Sequence, residues 1–154
     1  MKTENNYSLS AHNTFGIDAR CRQFVEYETV DELRDFISRR LADAASETSL
    51  PLLHIGGGSN LLFTTDFPGI VLHSAIKGVE VEMSDAARQE VVVKAGAGEN
   101  WDDFVARCVE QGYYGLENLS YIPGEVRLSP PPSCFVIMAN KTSYKLTELC
   151  YPQK

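Results

Sequence analysis

The chain has 154 residues, of which 44% are hydrophobic and 23% charged, and its net charge at pH 7 is −7. This composition is typical of a globular protein, and the length fits one ordinary domain or two small lobes that share a core. The acidic balance argues against a nucleic-acid partner, and no apolar run approaches the roughly 18 residues of a membrane span, so we expect neither nucleic acid nor membrane as a partner.

A strand and then a helix are predicted for the first third of the chain. Residues 23–27 alternate apolar and polar side chains, as a half-buried strand does. Thr29, with Glu32 three positions later, has the form of a capping box at a helix start. One face of that helix would then carry Val30, Leu33, Ile37 and Leu41. We expect the helix to end before an exposed polar loop at residues 43–49.

Several short strands follow without helices between them. Residues 50–55 form an apolar run flanked by breakers, which at this length favours a buried strand. Further strands are predicted at 70–73, 78–83 and 90–95, with a hairpin loop at 84–89. Consecutive strands without intervening helices predict an α+β fold of two lobes rather than an alternating parallel sheet.

A second helix is predicted to begin after Asn100, whose side chain can cap it, and to end at Gly112. Its apolar stripe consists of Trp101, Phe104, Val105, Cys108 and Val109. A core face explains that stripe, so we do not interpret it as an aromatic cofactor box. The nearby carboxylates, Glu99, Asp102, Asp103 and Glu117, are interpreted as solvated or capping groups, and no catalytic residue is assigned.

The cysteines and histidines give no metal or redox signal. The four cysteines, Cys21, Cys108, Cys134 and Cys150, are widely separated and include no CxxC pair. We interpret them as reduced, mostly buried thiols. The histidines His12, His54 and His73 show no ligand spacing and are interpreted as hydrogen-bonded structural residues, so no metal site is predicted. Residues 1–6 lack the apolar core of a signal peptide, so we expect a cytoplasmic protein.

The most informative segment is the glycine loop, residues 56–60 (Gly-Gly-Gly-Ser-Asn), set between apolar runs at 50–53 and 61–63. Glycine lets backbone N–H groups converge closely on one point, and a diphosphate suits such a point. A plain tight turn is the competing interpretation, because neither the GxGxxG of a dinucleotide fold nor a Gly-Lys-Ser/Thr ending is present. Since the net charge would repel a diphosphate, binding would depend on local backbone donors.

A collinear series of segments closely resembles the N-terminal part of the UDP-N-acetylmuramate dehydrogenase family, also called UDP-N-acetylenolpyruvoylglucosamine reductase. The resemblance covers roughly residues 7–126. Besides the glycine loop, the matching segments are Asn13–Ile17, Gly69–Leu72, Ile76–Glu80, Gly96–Trp101 and Gly115–Gly124. No one of these segments is specific, but their order is.

The resemblance implies the vanillyl-alcohol-oxidase-type fold, in which FAD lies between two small α+β lobes. Residues 1–126 would be the FAD-binding domain, with one lobe at about 7–68 and a second, incomplete lobe at about 69–126. The family uses NADPH to reduce FAD and then UDP-N-acetylglucosamine enolpyruvate, a nucleotide-sugar substrate, to UDP-N-acetylmuramate in peptidoglycan synthesis. The residues implied at the cofactor are Asn13, Thr14, Phe15, Ile55, Gly56, Gly57, Gly58, Ser59, Asn60, Leu61, Ile122, Pro123 and Gly124.

The resemblance stops after Val126. Family members continue with a glycine and a flavin-facing segment, whereas this chain has Arg127 and then three consecutive prolines, 130–132. For the tail, residues 127–154, two states are open: disorder, or a short helical turn near its end. The family's substrate lobe is not recognisable, so we expect no turnover by the chain alone. A truncated or frame-disrupted product is favoured over a naturally short relative. The alternative function is a non-catalytic flavin-binding fragment, or one that self-associates through an exposed lobe interface.

Overall fold

A computed structural model describes residues 1–43, 50–85, 90–126, 135–140 and 144–148. The chain divides into two compact units, Met1–Ile76 and Lys77–Lys154. Each unit contains a four-stranded sheet, and the predicted α+β class is confirmed. The division falls after Ile76 rather than near residue 68, because the last strand of the first sheet runs to Ser74.

The first unit has a mixed sheet. Its strands are β1 (Lys2–Ser8), β2 (Arg20–Tyr27), β3 (Leu52–Ile55) and β4 (Phe67–Ser74), in the order β1-β2-β4-β3. Strand β1 is antiparallel to β2, whereas β2, β4 and β3 are parallel to one another. The carboxyl ends of these three strands therefore lie at one edge of the sheet.

Both faces of this sheet are buried. Successive residues alternate between two clusters, because neighbouring side chains of a strand point to opposite faces. The first cluster contains Leu9, Cys21, Phe24, Ile55 and Val71. The second contains Val25, Tyr27, Leu33, Ile70 and Leu72. Helix α1 (Val30–Asp43) contributes Leu33 to the second face only.

The start of α1 is as predicted, but its buried face is rotated. The Thr29 hydroxyl accepts a hydrogen bond from the Glu32 N–H at 3.2 Å, and the Glu32 carboxylate accepts one from the Glu28 N–H at 2.8 Å. Phe36 packs with Leu33 against the sheet. The prediction that Ile37 and Leu41 share the core face is wrong, since they are 40% and 70% exposed. The helix contacts the sheet through positions 33 and 36, so positions 37 and 41 turn to its flank.

The second unit has an antiparallel sheet in the order β5-β6-β7-β8. Its strands are β5 (Val79–Asp85), β6 (Glu90–Ala95), β7 (Phe135–Asn140) and β8 (Tyr144–Glu148). The last two strands lie within the 127–154 tail, where the sequence left disorder or a helical turn open. Strand β7 pairs with the edge of β6 that β5 does not use, with Val93 opposite Ile137. An unpaired strand edge can hydrogen-bond a further strand, and the apolar residues of β7 extend the sheet in this way.

Helix α2 (Trp101–Glu110) packs on this sheet as predicted. The Asn100 side chain accepts hydrogen bonds from the N–H groups of Asp102 and Asp103, at 2.9 and 3.1 Å. Gly112 ends the helix with a positive φ of 76°. The buried stripe is confirmed for Trp101, Phe104, Val105 and Cys108, but the prediction that Val109 belongs to it is wrong, because Val109 is 36% exposed.

Three sequence predictions fall partly outside the described residues. These are most of the loops 43–49 and 84–89, together with the thiols of Cys134 and Cys150. Cys21 and Cys108 are free and buried, as predicted. Neither α1 nor α2, the α-helices of the described ranges, combines the length and apolarity needed to cross a membrane.

Candidate functional site

The glycine loop begins where β3 ends, at the carboxyl edge of the parallel strands. Such an edge is a common place for a ligand in sheets with parallel strands. Ile55 is 2% exposed, and Leu61 packs against the same core cluster. Both ends of the loop are therefore fixed in the core. Ile55, being buried, could reach a cofactor only through its main chain.

The loop presents backbone donors that have no acceptor in the protein. Within the described residues, no hydrogen bond is found from the backbone N–H groups of Gly57, Gly58 and Asn60. The Leu61 N–H donates to the Gly58 carbonyl at 3.1 Å, so the loop also contains a turn, and Gly58 has a φ of +70°. Backbone N–H groups without a protein acceptor can bind an anionic oxygen. The residues present therefore fit the diphosphate of FAD.

A second loop, residues 9–17, supports the glycine loop from one side. A Cβ added at Gly58 would lie 1.8 Å from the His12 carbonyl oxygen, so the two main chains are in direct contact there. The Thr14 hydroxyl donates to the Ser59 carbonyl at 3.0 Å. The structure thus brings together two segments that are 45 residues apart in sequence.

The predicted residues of loop 9–17 have different environments. Asn13 is buried, and its side-chain NH₂ donates to the carbonyls of Leu9 and Ile17, at 2.7 and 3.0 Å. Its side-chain oxygen accepts from the Ile17 N–H at 2.9 Å. The Asn13 side chain is therefore used within its own loop, whereas Phe15 is 67% exposed.

The histidines of the first unit are hydrogen-bonded, as predicted. The buried Tyr27 hydroxyl lies 2.9 Å from Nε2 of His54, at the carboxyl ends of β2 and β3. His73 Nδ1 lies 3.0 Å from the Glu26 carboxylate. Sequence reasoning did not find the Tyr27–His54 pair, because it depends on two strands that come together only through β4. Across the described ranges, no His, Cys, Asp and Glu side chains are grouped as metal ligands.

The remaining predicted residues, Ile122, Pro123 and Gly124, lie in the second unit. They follow Tyr121, whose φ is +62° and whose N–H donates to the Asp102 carboxylate at 2.8 Å. The Gly124 carbonyl accepts from the Trp101 N–H at 3.0 Å. This chain reversal is therefore fixed to the first turn of α2.

Two more carboxylates of the second unit bind backbone amides. Glu117 accepts from the Gly115 N–H at 2.5 Å, and Glu99 accepts from the Gly78 N–H at 2.7 Å. Hydrogen bonds from its own N–H and that of Gly115 lower the pKa of Glu117. These contacts agree with structural rather than acid-base roles. Burial raises the pKa of Cys21, and it raises that of Cys108 to about 11, so both thiols are held in the unreactive neutral form.

The class of domain follows from a family comparison. The family described as FAD binding domain matches residues 22–127, which is more than half of the chain. The chain belongs to this family, and FAD, the cofactor expected from the sequence, is the cofactor of the family.

More specific likenesses identify a group of enzymes within that class. UDP-N-acetylenolpyruvoylglucosamine reductase of Bacteroides fragilis (strain YCH46) is 54% identical over 128 residues, covering 82% of this chain and 36% of the relative. The enzyme of the same name from Pseudomonas fluorescens (strain Pf0-1) is 43% identical over 130 residues, covering 84% and 36%. The predicted resemblance is confirmed, and the chain spans about a third of the length of these relatives.

A solved structure shows the same fold. The crystal structure of UDP-N-acetylenolpyruvylglucosamine reductase from Thermus caldophilus matches with a TM-score of 0.57 at 20% identity. The match covers 96% of this chain and 53% of that one.

Proposed function

We propose that residues 1–126 bind FAD, with the backbone amides of the glycine loop holding the FAD diphosphate. The observation that carries the proposal is the set of unpartnered N–H groups at Gly57, Gly58 and Asn60, at the carboxyl edge of parallel strands. Gly58 is buried, Gly57 is half-buried and Asn60 is exposed, and buried backbone donors normally find an acceptor. A diphosphate would supply one to each of them.

FAD supplies the hydride-transfer chemistry when it is bound. This chain's contribution would be binding and orientation. The glycine-loop amides would fix the diphosphate, Thr14 would hold the loop through Ser59, and Phe15 would border the same site. No catalytic residue is assigned to the chain.

The relatives' name suggests the reaction to which the domain contributes. We infer an NADPH-dependent reduction of UDP-N-acetylglucosamine enolpyruvate to UDP-N-acetylmuramate, in the cytoplasm and for peptidoglycan synthesis. Because the chain covers 36% of those relatives, we propose that it does not turn over substrate alone.

Titration with flavins of different phosphate content tests whether the glycine loop recognises the diphosphate. We expect the flavin fluorescence of FAD to be quenched or shifted on binding. FAD should also bind more tightly than riboflavin, which has no phosphate. ADP, which has the diphosphate but no flavin, should compete with FAD. Equal binding of riboflavin and FAD would show that the diphosphate is not recognised, and no binding at high micromolar protein would reject the cofactor site.

A separate assay tests the absence of turnover. The FAD-loaded chain should oxidise NADPH in the presence of the enolpyruvyl substrate no faster than free FAD does. Substrate-dependent NADPH consumption above that background would contradict it.

A second candidate function is supported by exposed apolar side chains. In the first unit Phe15 and Leu62 are 67% and 61% exposed. Large exposed apolar side chains promote association. Sedimentation velocity should then show dimers whose fraction rises with concentration and falls in Leu62→Ser. A monomer at all concentrations would reject this candidate.

A further inference from the structure

We propose that Thr14 and Asn13 are positioning residues that set the direction of the glycine-loop amides, acting through loop 9–17 rather than through contact with the cofactor. The inference rests on the proposed function, because it assigns these residues a role in the same site. It differs from the expectation that Asn13 itself binds FAD.

The Thr14 hydrogen bond fixes the orientation of one peptide group. In a planar trans peptide the C=O and the following N–H point in opposite directions. Because Thr14 Oγ1 holds the Ser59 carbonyl at 3.0 Å, the Asn60 N–H is directed away from loop 9–17. Asn60 is one of the described residues whose N–H has no protein acceptor. Thr14 therefore aims a donor that it does not itself touch.

Asn13 fixes the loop that carries Thr14. Its three side-chain hydrogen bonds join Leu9 and Ile17, which would otherwise be the ends of a flexible segment. Leu9 is fully buried, and its N–H donates to the Ala19 carbonyl at 2.8 Å. The loop is thus closed at its base by the main chain and braced across its middle by Asn13.

The contact at Gly58 gives the loop a second fixed point. The His12 carbonyl is so close to Gly58 that a Cβ could not be accommodated. Two residues of loop 9–17, one on each side of Asn13, therefore locate Gly58 and Ser59 independently: His12 through van der Waals contact and Thr14 through a hydrogen bond. Preorganised donors bind a ligand more tightly because less conformational entropy is lost on binding.

The test compares Thr14→Val, which is nearly isosteric and lacks the hydroxyl, with Thr14→Ser, which keeps it. Thr65→Val is the matched control, because the Thr65 hydroxyl bonds the adjacent Asp66 carbonyl in an exposed part of the same unit. Loss of one neutral hydrogen bond predicts FAD binding roughly three- to tenfold weaker in Thr14→Val. Thr14→Ser should restore it to within about twofold, and Thr65→Val should bind as the unsubstituted chain does.

A measurement without cofactor separates this inference from the proposed function. In the FAD-free protein, the ¹⁵N order parameter of Asn60 should fall and the Leu61 amide should exchange faster in Thr14→Val, but not in Thr14→Ser or Thr65→Val. If the unsubstituted chain binds no FAD, the proposed function fails while these readouts still test the positioning. If Asn60 and Leu61 are unchanged in Thr14→Val, the positioning role is rejected, whatever the affinity for FAD.

Asn13→Ala extends the test. Since it removes three hydrogen bonds beside a buried leucine, it should weaken FAD binding more than tenfold and also lower the melting temperature. Adding Thr14→Val to Asn13→Ala should then cost less than Thr14→Val alone, because both act through one loop. Additive losses would reject the shared route.

Discussion

In the first unit, three backbone N–H groups of the glycine loop have no acceptor among the described residues, whereas in the second unit several N–H groups of the turn at 115–126 donate to neighbouring carboxylates and carbonyls. Carboxylates accept from Gly115 and Tyr121, and the Glu99 carbonyl accepts from the Val126 N–H at 2.9 Å. Both segments contain glycines and positive φ angles. Their sequences look alike as turns, but carboxylate side chains accept from two N–H groups of the second, those of Gly115 and Tyr121.

The difference has an energetic cause. Gly58 is buried, and a backbone N–H that is removed from water without a partner costs about 1–3 kcal/mol, so an acceptor for this donor would be stabilising. In the second-unit turn, Asp102 and Glu117 supply acceptors to the N–H groups of Tyr121 and Gly115.

The largest expected effect separates Gly58 from Gly16, which share a positive φ but differ in the room available for a Cβ. At Gly58 (+70°) a Cβ would meet the His12 carbonyl, whereas at Gly16 (+63°) nothing lies within 4 Å. Gly16→Ala should cost about 1 kcal/mol for the backbone conformation alone. Gly58→Ala should cost about 3 kcal/mol, because overpacking adds to that, and should abolish measurable FAD binding.

Urea denaturation of the two variants measures this difference directly. Gly16→Ala is the control for the cost of a positive φ, since it introduces the same side chain at nearly the same φ. Equal free energies of unfolding would mean that the His12 contact does not constrain Gly58.

The second expected effect concerns the core of the second unit. Cys108 has a pKa raised from 9.0 to about 11 by burial. Because the folded-state pKa lies above the unfolded value, this group's stabilisation is complete below pH 9 and is lost as the pH rises towards 11. The full loss approaches about 2–3 kcal/mol.

Denaturation between pH 8 and 10.5 would show the alkaline loss, and Cys108→Ala supplies the comparison because it cannot ionise. The difference in unfolding free energy between the two proteins should change with pH in this interval. A constant difference would contradict the raised pKa.

A smaller effect is expected at the cap of α2. Asn100→Ala removes the acceptor for two N–H groups and should cost about 1 kcal/mol, with faster exchange of the Asp102 and Asp103 amides. Asn118→Ala, an exposed asparagine in a short 3₁₀ turn, is the control and should cost little. Equal costs for both would mean that the cap is not used.

Sequence patterns predicted the elements whose signals are local. Helix α2 was recognised because Asn100, the apolar stripe and Gly112 all lie within the helix or beside it. Strand β1 was missed because Lys2–Ser8 is almost entirely polar and pairs only along one edge of β2. Strand β7 depends on an edge of β6 about 40 residues earlier, which no local pattern encodes.

The two segments of the candidate site were predictable from the sequence, but the contacts between them were not. The glycines of 56–60 and the motif at 13–15 are predicted to belong to one site, and the structure brings the two segments into contact. The partners of Asn13, however, are the carbonyls of Leu9 and Ile17, and the neighbour of Gly58 is the carbonyl of His12. Every residue has a carbonyl, so side-chain identity could not reveal these contacts.

The smallest expected effect tests the hydrogen bond from the Gly115 N–H to the Glu117 carboxylate in the second-unit turn. Hydrogen bonds from backbone N–H groups, its own and that of Gly115, lower the pKa of Glu117. Any stabilisation they give is therefore present above the ordinary carboxyl pKa and lost as the pH falls through the lowered value. In an NMR titration the Gly115 amide shift should have its midpoint below 4.5. Glu117→Gln should remove that step while leaving the Gly57 and Gly58 amides unchanged, and a Gly115 titration that persists in Glu117→Gln would assign the step to another group.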